Sequence, residues 1–535
     1  MNIHFNYTLT MTSEHPFLLN IAADYPDYLR DESRRTGSAD SLSFPRTEKE
    51  LRAHLTLLNN EKTPVTIQGA RTGITAGAVP NGGHIISLSR MNRITGMNRH
   101  PNEDAYVLSV QPGTLLSDIR LFIETKRFDI TGWSEQSLKT LSDFQTGKNY
   151  FFPPDPTETS ASIGGMTACN ASGARSFFYG PTRNYIESLN VVLTDGSLLK
   201  LQRGREKSSG RQFSLVTDNG RSINGRLPEY NMPDVKNASG YFAKYNMDLI
   251  DLFIGAEGTL GIISEIGIKI IPCPPVMWGI LAFFPSEAIA VNFVKAVRAT
   301  EPKPAAVEFF NHGSLDLLRM QKENNPAFKN LATIQPTYHT GIYIEYHGPD
   351  EETVEKAAMN MSEIMTTAGG DIDATWMASD HHCLEELKDF RHALPEAVNL
   401  KIDERRKKEP NLTKLGTDLS VPDDKLEEIL EIYHRDLDEA ALEYVIFGHI
   451  GNNHVHVNII PSTMNDYKRG KELYLRWATT VVRMGGSVSA EHGIGKLKTE
   501  MLKTMLGEDG IRQMREVKRV FDTDGLLNPG NLFEI

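Results

Sequence analysis

The sequence predicts an α+β fold of two domains with a C-terminal helical segment. Three loops of small residues, at 69–80, 162–173 and 255–261, each adjoin a short apolar strand in the first half of the chain. Pro272, Pro274 and Pro275 then interrupt the pattern. Beyond them, strand-like and helix-like segments alternate to about residue 480, which reads as a second α+β unit.

Residues 1–50 read as a helical lead-in followed by a loop. Thr47 opens a helix over 47–59, because it can cap that helix and Leu51, Leu55 and Leu58 recur at helical spacing. Short strands are expected at 64–67, 84–88 and 106–111, the last running into Pro112-Gly113. An apolar strand at 186–193 ends in Thr194-Asp195-Gly196, a tight turn. Residues 202–235 are polar and rich in Gly, Ser, Asn and Arg, and read as a long surface insertion or lid. In the second unit, strands are expected at 279–284, 341–346 and 443–447, with helices at 286–299, 351–367 and 423–440. The resulting partition is a lead-in at 1–44, a first domain at 45–275, a second at 276–485 and a closing segment at 486–535.

The chain has 535 residues, too many for one ordinary core. Its net charge of −12 argues against nucleic acid, which needs a basic surface. Cys169, Cys273 and Cys383 lie far apart, so neither a disulfide framework nor an iron–sulfur cluster is supported. The first 19 residues lack a basic segment followed by an apolar one, and no run of about 18 apolar residues occurs. A cytoplasmic location is the expectation, with peripheral attachment to a membrane left open.

Small side chains in the 69–80 loop let backbone N–H groups approach an anion closely. No glycine fingerprint opens a helix after a strand, so a Rossmann domain is disfavoured. The segment from Pro64 through Gln68, Gly69, Ala70, Arg71, Thr72 and Gly73, with Gly77 and Pro80, resembles the pyrophosphate loop of FAD-linked oxidases. Pro112-Gly113, Pro154-Asp155, Gly164-Gly165, Asn170, Ser172-Gly173, Glu257-Gly258, Gly261-Ile262 and Asn531 resemble their further cofactor segments. The C-terminal motifs are similar to the D-lactate dehydrogenase, glycolate oxidase subunit and D-2-hydroxyglutarate dehydrogenase branch. The resemblance implies a vanillyl-alcohol-oxidase (PCMH)-type FAD-binding domain and a second α+β cap domain for substrate. The pyrophosphate loop has no histidine, which implies non-covalent FAD.

His449 and His456 lie seven residues apart, an odd spacing that sends them to opposite faces of one straight strand. A hairpin with Asn452-Asn453 as a two-residue turn resolves this, since His449 then opposes His456. Two imidazoles could then grip one cation. His454 and Asn458 fall on the same face as His456. His454 is read as a neighbour rather than a ligand, and Asn458 as part of the catalytic set. Glu491, in Ala490-Glu491-His492-Gly493, is the third ligand that the resemblance implies. Zinc suits such donors, as do manganese and iron.

His492 is the candidate base, because a histidine titrates near neutrality. Arg391 resembles the family's carboxylate-binding arginine, whose fork suits that group. A lysine marks the distal carboxylate of hydroxyglutarate in that branch. Here Lys414 stands two places early, so hydroxyglutarate is not assigned.

The expected activity is FAD-dependent oxidation of a D-lactate-like D-2-hydroxy acid to the 2-oxo acid. Electrons would pass to a quinone, a cytochrome or an electron-transfer flavoprotein. A homodimer is compatible with the sequence. An oxygen-using hydroxy-acid oxidase is the nearest alternative. A non-redox enzyme like alkylglycerone-phosphate synthase is another, although it carries a histidine run where this chain has Ala490-Glu491-His492.

Overall fold

A computed structural model describes residues 19–21 and 25–535. Most of the expected lead-in helix lies outside the described residues. Its described part holds one short turn, Pro26–Leu29, and the strand Ser41–Ser43 where a loop was expected. Ser41–Ser43 and Val65–Gln68 flank His84–Ser87, all in parallel. The helix Glu48–Asn60 begins where its cap requires: Glu50 N–H donates to Thr47 Oγ1 at 3.2 Å. Its buried stripe of Leu51, Leu55 and Leu58 packs on Val65, Ile86 and Ile262.

A second sheet is antiparallel, in the order Ile94–Arg99, Tyr106–Val110, Ile262–Pro272, Ile186–Val192 and Leu198–Gln202. Two helices absent from the sequence reading, Leu116–Thr125 and Glu135–Thr146, share its core through Ile119, Ile123, Leu141 and Phe144. The 202–235 segment, read as a long surface insertion or lid, is ordered in part. It contains the hairpin Gln212–Val216 with Ser222–Arg226, whose Phe213 stacks on Phe521 at 5.7 Å. Phe213, Leu215 and Ile223 are buried on one face, the period-2 pattern of a half-covered ribbon.

The proline break separates two sheets. Ile262–Pro272 belongs to the second sheet, and Val276–Phe284 enters a third. That sheet is antiparallel, in the order Thr375–Ala378, Val276–Phe284, Thr340–Gly348, Ala306–Phe310, Tyr444–Gly448, His456–Ile459 and Leu415–Gly416. Alternate side chains of Val276–Phe284 feed opposite cores. Ile280, Ala282 and Phe284 join the cluster containing the helices Glu287–Val297 and Glu351–Ala368. Leu281 and Phe283 join that of His312–Asn324 and His381–Arg406.

After the helix Thr499–Phe521, the chain returns to the first sheet. Leu527 bridges Val65 in parallel, and Ile67 N–H donates to Asn528 Oδ1 at 2.7 Å.

Candidate active site

The three small-residue loops and the returning segment wall one cleft with about 1540 Å³ of empty space, counted with its opening to solvent. Every residue expected at the cofactor lines it except Gly113, Pro154, Asp155 and Asn170. Those four lie behind the cleft wall. A Cβ on Gly113 would stand 2.1 Å from Leu88 O, so glycine there permits a close backbone approach. Pro154 O and Asp155 Oδ1 accept from Arg120, and Asn170 Oδ1 accepts from Arg183 N–H.

The N–H groups of residues 71–77 donate to no group among the described residues. Arg71 and Ala76 take positive φ of 62° and 60°, a backbone state that recurs in anion-binding loops. Glu257 binds the loops to the C-terminal segment. Its carboxylate accepts Ile494 N–H at 2.6 Å and Gly495 N–H at 2.8 Å, and its carbonyl accepts from Asn528 Nδ2 at 2.6 Å.

The histidine hairpin forms in a different register from the one expected. Phe447, not His449, opposes His456. A two-residue turn of the expected type needs positive φ at both central residues. Only Asn453 has it, at 51°, whereas Asn452 belongs to a short 3₁₀ turn, Ile450–Asn452. His449 therefore lies beyond the ladder, at the mouth of a wider connection. Gly448 makes this feasible: its φ is 117°, and a Cβ there would stand 2.7 Å from His456 Cδ2.

The imidazoles still converge. His449 Nε2 lies 3.1 Å, and His456 Nε2 3.2 Å, from the same Glu491 Oε1. Each ring is fixed by its other nitrogen: His449 Nδ1 meets Glu308 Oε1 at 2.7 Å, and His456 Nδ1 meets Thr417 O at 2.9 Å. His492 Nε2 stands 3.6 Å from that Glu491 oxygen, with its ring stacked on His456. Lys236 Nζ holds the other oxygen, Oε2, at 2.6 Å. Burial alone would raise the Glu491 pKa, but His449 and Lys236 hold it well below the usual carboxylate range. Burial opposes charge on His449 too, yet Glu308 and Glu491 push it up to about 9.

Asp418 organises the far side. Its carboxylate accepts the backbone N–H groups of Glu491 and His492, both at 3.1 Å, and pairs with Lys498 at 2.6 Å. Burial lowers His492 to about 4, so its ring is neutral near pH 7.

Asn458 stands beside His456. It is not on the cleft wall, and its Nδ2 donates to His456 O at 3.3 Å. Arg391 does not line the cleft either. Its guanidinium lies 5.0 Å from the Tyr343 ring centroid and makes no hydrogen bond or ion pair among the described residues. Burial disfavours its charge, but Glu308 leads the groups that raise its pKa. Lys236, Glu308 and Asp418 escaped the sequence reading, because each reaches the cluster from a distant segment with no local spacing to betray it.

Residues 274–532 match the family of FAD linked oxidases, C-terminal domain, and residues 39–131 and 136–202 match an FAD binding domain. D-lactate dehydrogenase of Anaerostipes hadrus is 30% identical over 95% of this chain and 92% of its own. The chain belongs to the FAD-linked oxidases. This FAD-linked oxidase is also 30% identical to D-2-hydroxyglutarate dehydrogenase of Xanthomonas citri pv. viticola, over 96% of this chain and 93% of that one. Its fold is shared with p-cresol methylhydroxylase with substrate bound, at a TM-score of 0.64 and 16% identity, over 95% of this chain and 92% of that one. The expected α+β architecture, with a PCMH-type cofactor domain, is thereby the observed one. The FAD-linked oxidase is a flavin-dependent oxidoreductase.

Proposed function

We propose that this chain oxidises a D-2-hydroxy acid, D-lactate-like in class, to the 2-oxo acid. The observation that carries this is the convergence of His449 and His456 Nε2 on one oxygen of Glu491 at the edge of the cofactor cleft. Two anchored imidazoles and a carboxylate suit a divalent cation: zinc, or else manganese or iron. The unpartnered amides of residues 71–77 suit the pyrophosphate of non-covalent FAD.

When bound, FAD supplies the acceptor for the hydride leaving the α-carbon. A cation in this set supplies Lewis acidity that makes the substrate hydroxyl easier to deprotonate. The chain's own groups do the rest. Neutral His492 accepts the hydroxyl proton on a ring nitrogen. Arg391 takes the carboxylate, since a buried guanidinium without an ion pair is costly until an anion meets it. Glu308 and Thr417 hold the two rings, and Asp418 sets the backbone that carries Glu491 and His492.

Electrons then leave for a quinone, a cytochrome or an electron-transfer flavoprotein. No helix among the described residues is long and apolar enough to cross a membrane. A cytoplasmic enzyme, free or peripheral to a membrane, accords with this reading.

The test is a screen of D- and L-2-hydroxy acids against an artificial dye acceptor, with and without a chelator. Dye reduction by D-acids, lost on chelation, is the expected result. A FAD-loaded protein that oxidises no D-2-hydroxy acid overturns the proposal.

A further inference from the structure

His454 carries a buried ring nitrogen, Nδ1, that meets no partner among the described residues. The residue is fully buried. Its Nε2 comes within 3.0 Å of Asp418 Oδ1. A buried polar atom left without a partner is unfavourable, so its retention calls for a physical reason.

Space filling is a weak reason, because an apolar side chain would fill the site without that cost. Location supplies a better one. The His454 ring centroid lies 4.5 Å from that of His456 and 5.3 Å from that of His449. One donor atom of His454 falls within 4.8 Å of donor atoms on His449, His456 and Glu491. The backbone holds it there, since His454 N–H donates to His449 O at 3.2 Å.

The neighbouring rings supply a pattern. His449 and His456 each direct one nitrogen to an outer oxygen and the other to the centre of the cluster. His454 has the matching outer oxygen in Asp418, and its Nδ1 meets no protein group. A carboxylate behind a ligating imidazole is the usual device for fixing the ring of a metal-bound histidine.

We infer that His454 is a further donor to the cation, giving a set of three histidines and one glutamate. This rests on the metal-holding reading above and departs from the sequence expectation that His454 is a bystander. Four protein donors fill a tetrahedral shell. A cation that also takes substrate oxygen here must therefore accept a fifth or sixth ligand.

The test begins with the wild-type holoenzyme. Elemental analysis gives metal per chain, and X-ray absorption at the metal edge counts imidazoles. About one metal per chain with three imidazoles is expected, whereas two imidazoles overturn the assignment. His454→Ala and His454→Asn are then compared with wild type for metal retention against a competing chelator, with FAD content as the check on folding. Each is expected to hold metal more weakly by at least the roughly 10–100-fold that loss of an outer partner costs. Unchanged retention in variants that keep their FAD overturns the inference. If the variants do not fold, the wild-type imidazole count decides alone. A wild-type protein without stoichiometric metal removes the metal-holding reading itself, and the role of His454 with it.

Discussion

Lys236 Nζ lies 2.6 Å from Glu491 Oε2, while the other oxygen of that carboxylate faces the Nε2 atoms of His449 and His456. One oxygen is thus neutralised by an ammonium and the other is left to the cluster. Both side chains are almost fully buried, at 6% and 9% exposure, so the pair is little screened by solvent. The lysine restricts Glu491 to one-oxygen use.

Lys236→Met is expected to lower turnover by about 10–100-fold, the usual cost of losing an outer partner of a ligand. Metal should be retained, because a positive charge beside the cation has gone. Steady-state kinetics with elemental analysis checks this, and wild-type turnover in the variant would dismiss the positioning role.

Gly448→Ala should displace the His456 ring, given the 2.7 Å approach of a Cβ to Cδ2 and a φ of 117°. The backbone strain alone costs about 1–3 kcal/mol. The expected outcome is FAD-loaded protein with a lower melting temperature and little activity. Full activity would show that the connection relaxes freely.

Much of the framework was legible because it is written locally. The Thr47 cap, the leucine stripe behind it and the apolar run at 279–284 each sit within a few residues. His449, His456 and Glu491 were legible as residue types, but their geometry was not. Asn452 adopts a helical turn, and that one backbone choice moves the ladder from His449 to Phe447. Lys236, Glu308 and Asp418 enter from three other segments, so only the folded chain brings them in. The parallel sheet was hidden for the same reason, since its strands pair across a crossover.

Arg391→Ala should chiefly raise KM for the acid, because its guanidinium has no ion pair among the described residues to lose. A fall in kcat at unchanged KM would instead assign it an interaction made only in the transition state. Comparing the acid with its amide in wild type and variant separates the two.

His84 reports on stability, away from the cluster. Burial lowers it to about 3, and Ser41 Oγ and Ser43 Oγ hold its two nitrogens at 2.7 and 2.8 Å. The unfolded chain takes up this proton near pH 6.5, well before the folded one does. The stabilisation is therefore complete above that pH and is lost as pH falls toward about 3, by about 1.4 kcal/mol per pH unit. The drop in melting temperature from pH 7.5 to 5.0 should be larger for wild type than for His84→Gln. Equal drops would exclude His84 as the cause.

The order of synthesis gives the Leu527–Val65 bridge and the Asn528 contacts a temporal meaning. The amide-rich loop at 71–77 leaves the ribosome early, but Asn528 and Asn531, which wall the same cleft, emerge hundreds of residues later. A nascent chain presents half a cradle through most of its translation. The complete wall of the cleft therefore assembles only when nearly the whole chain has been made.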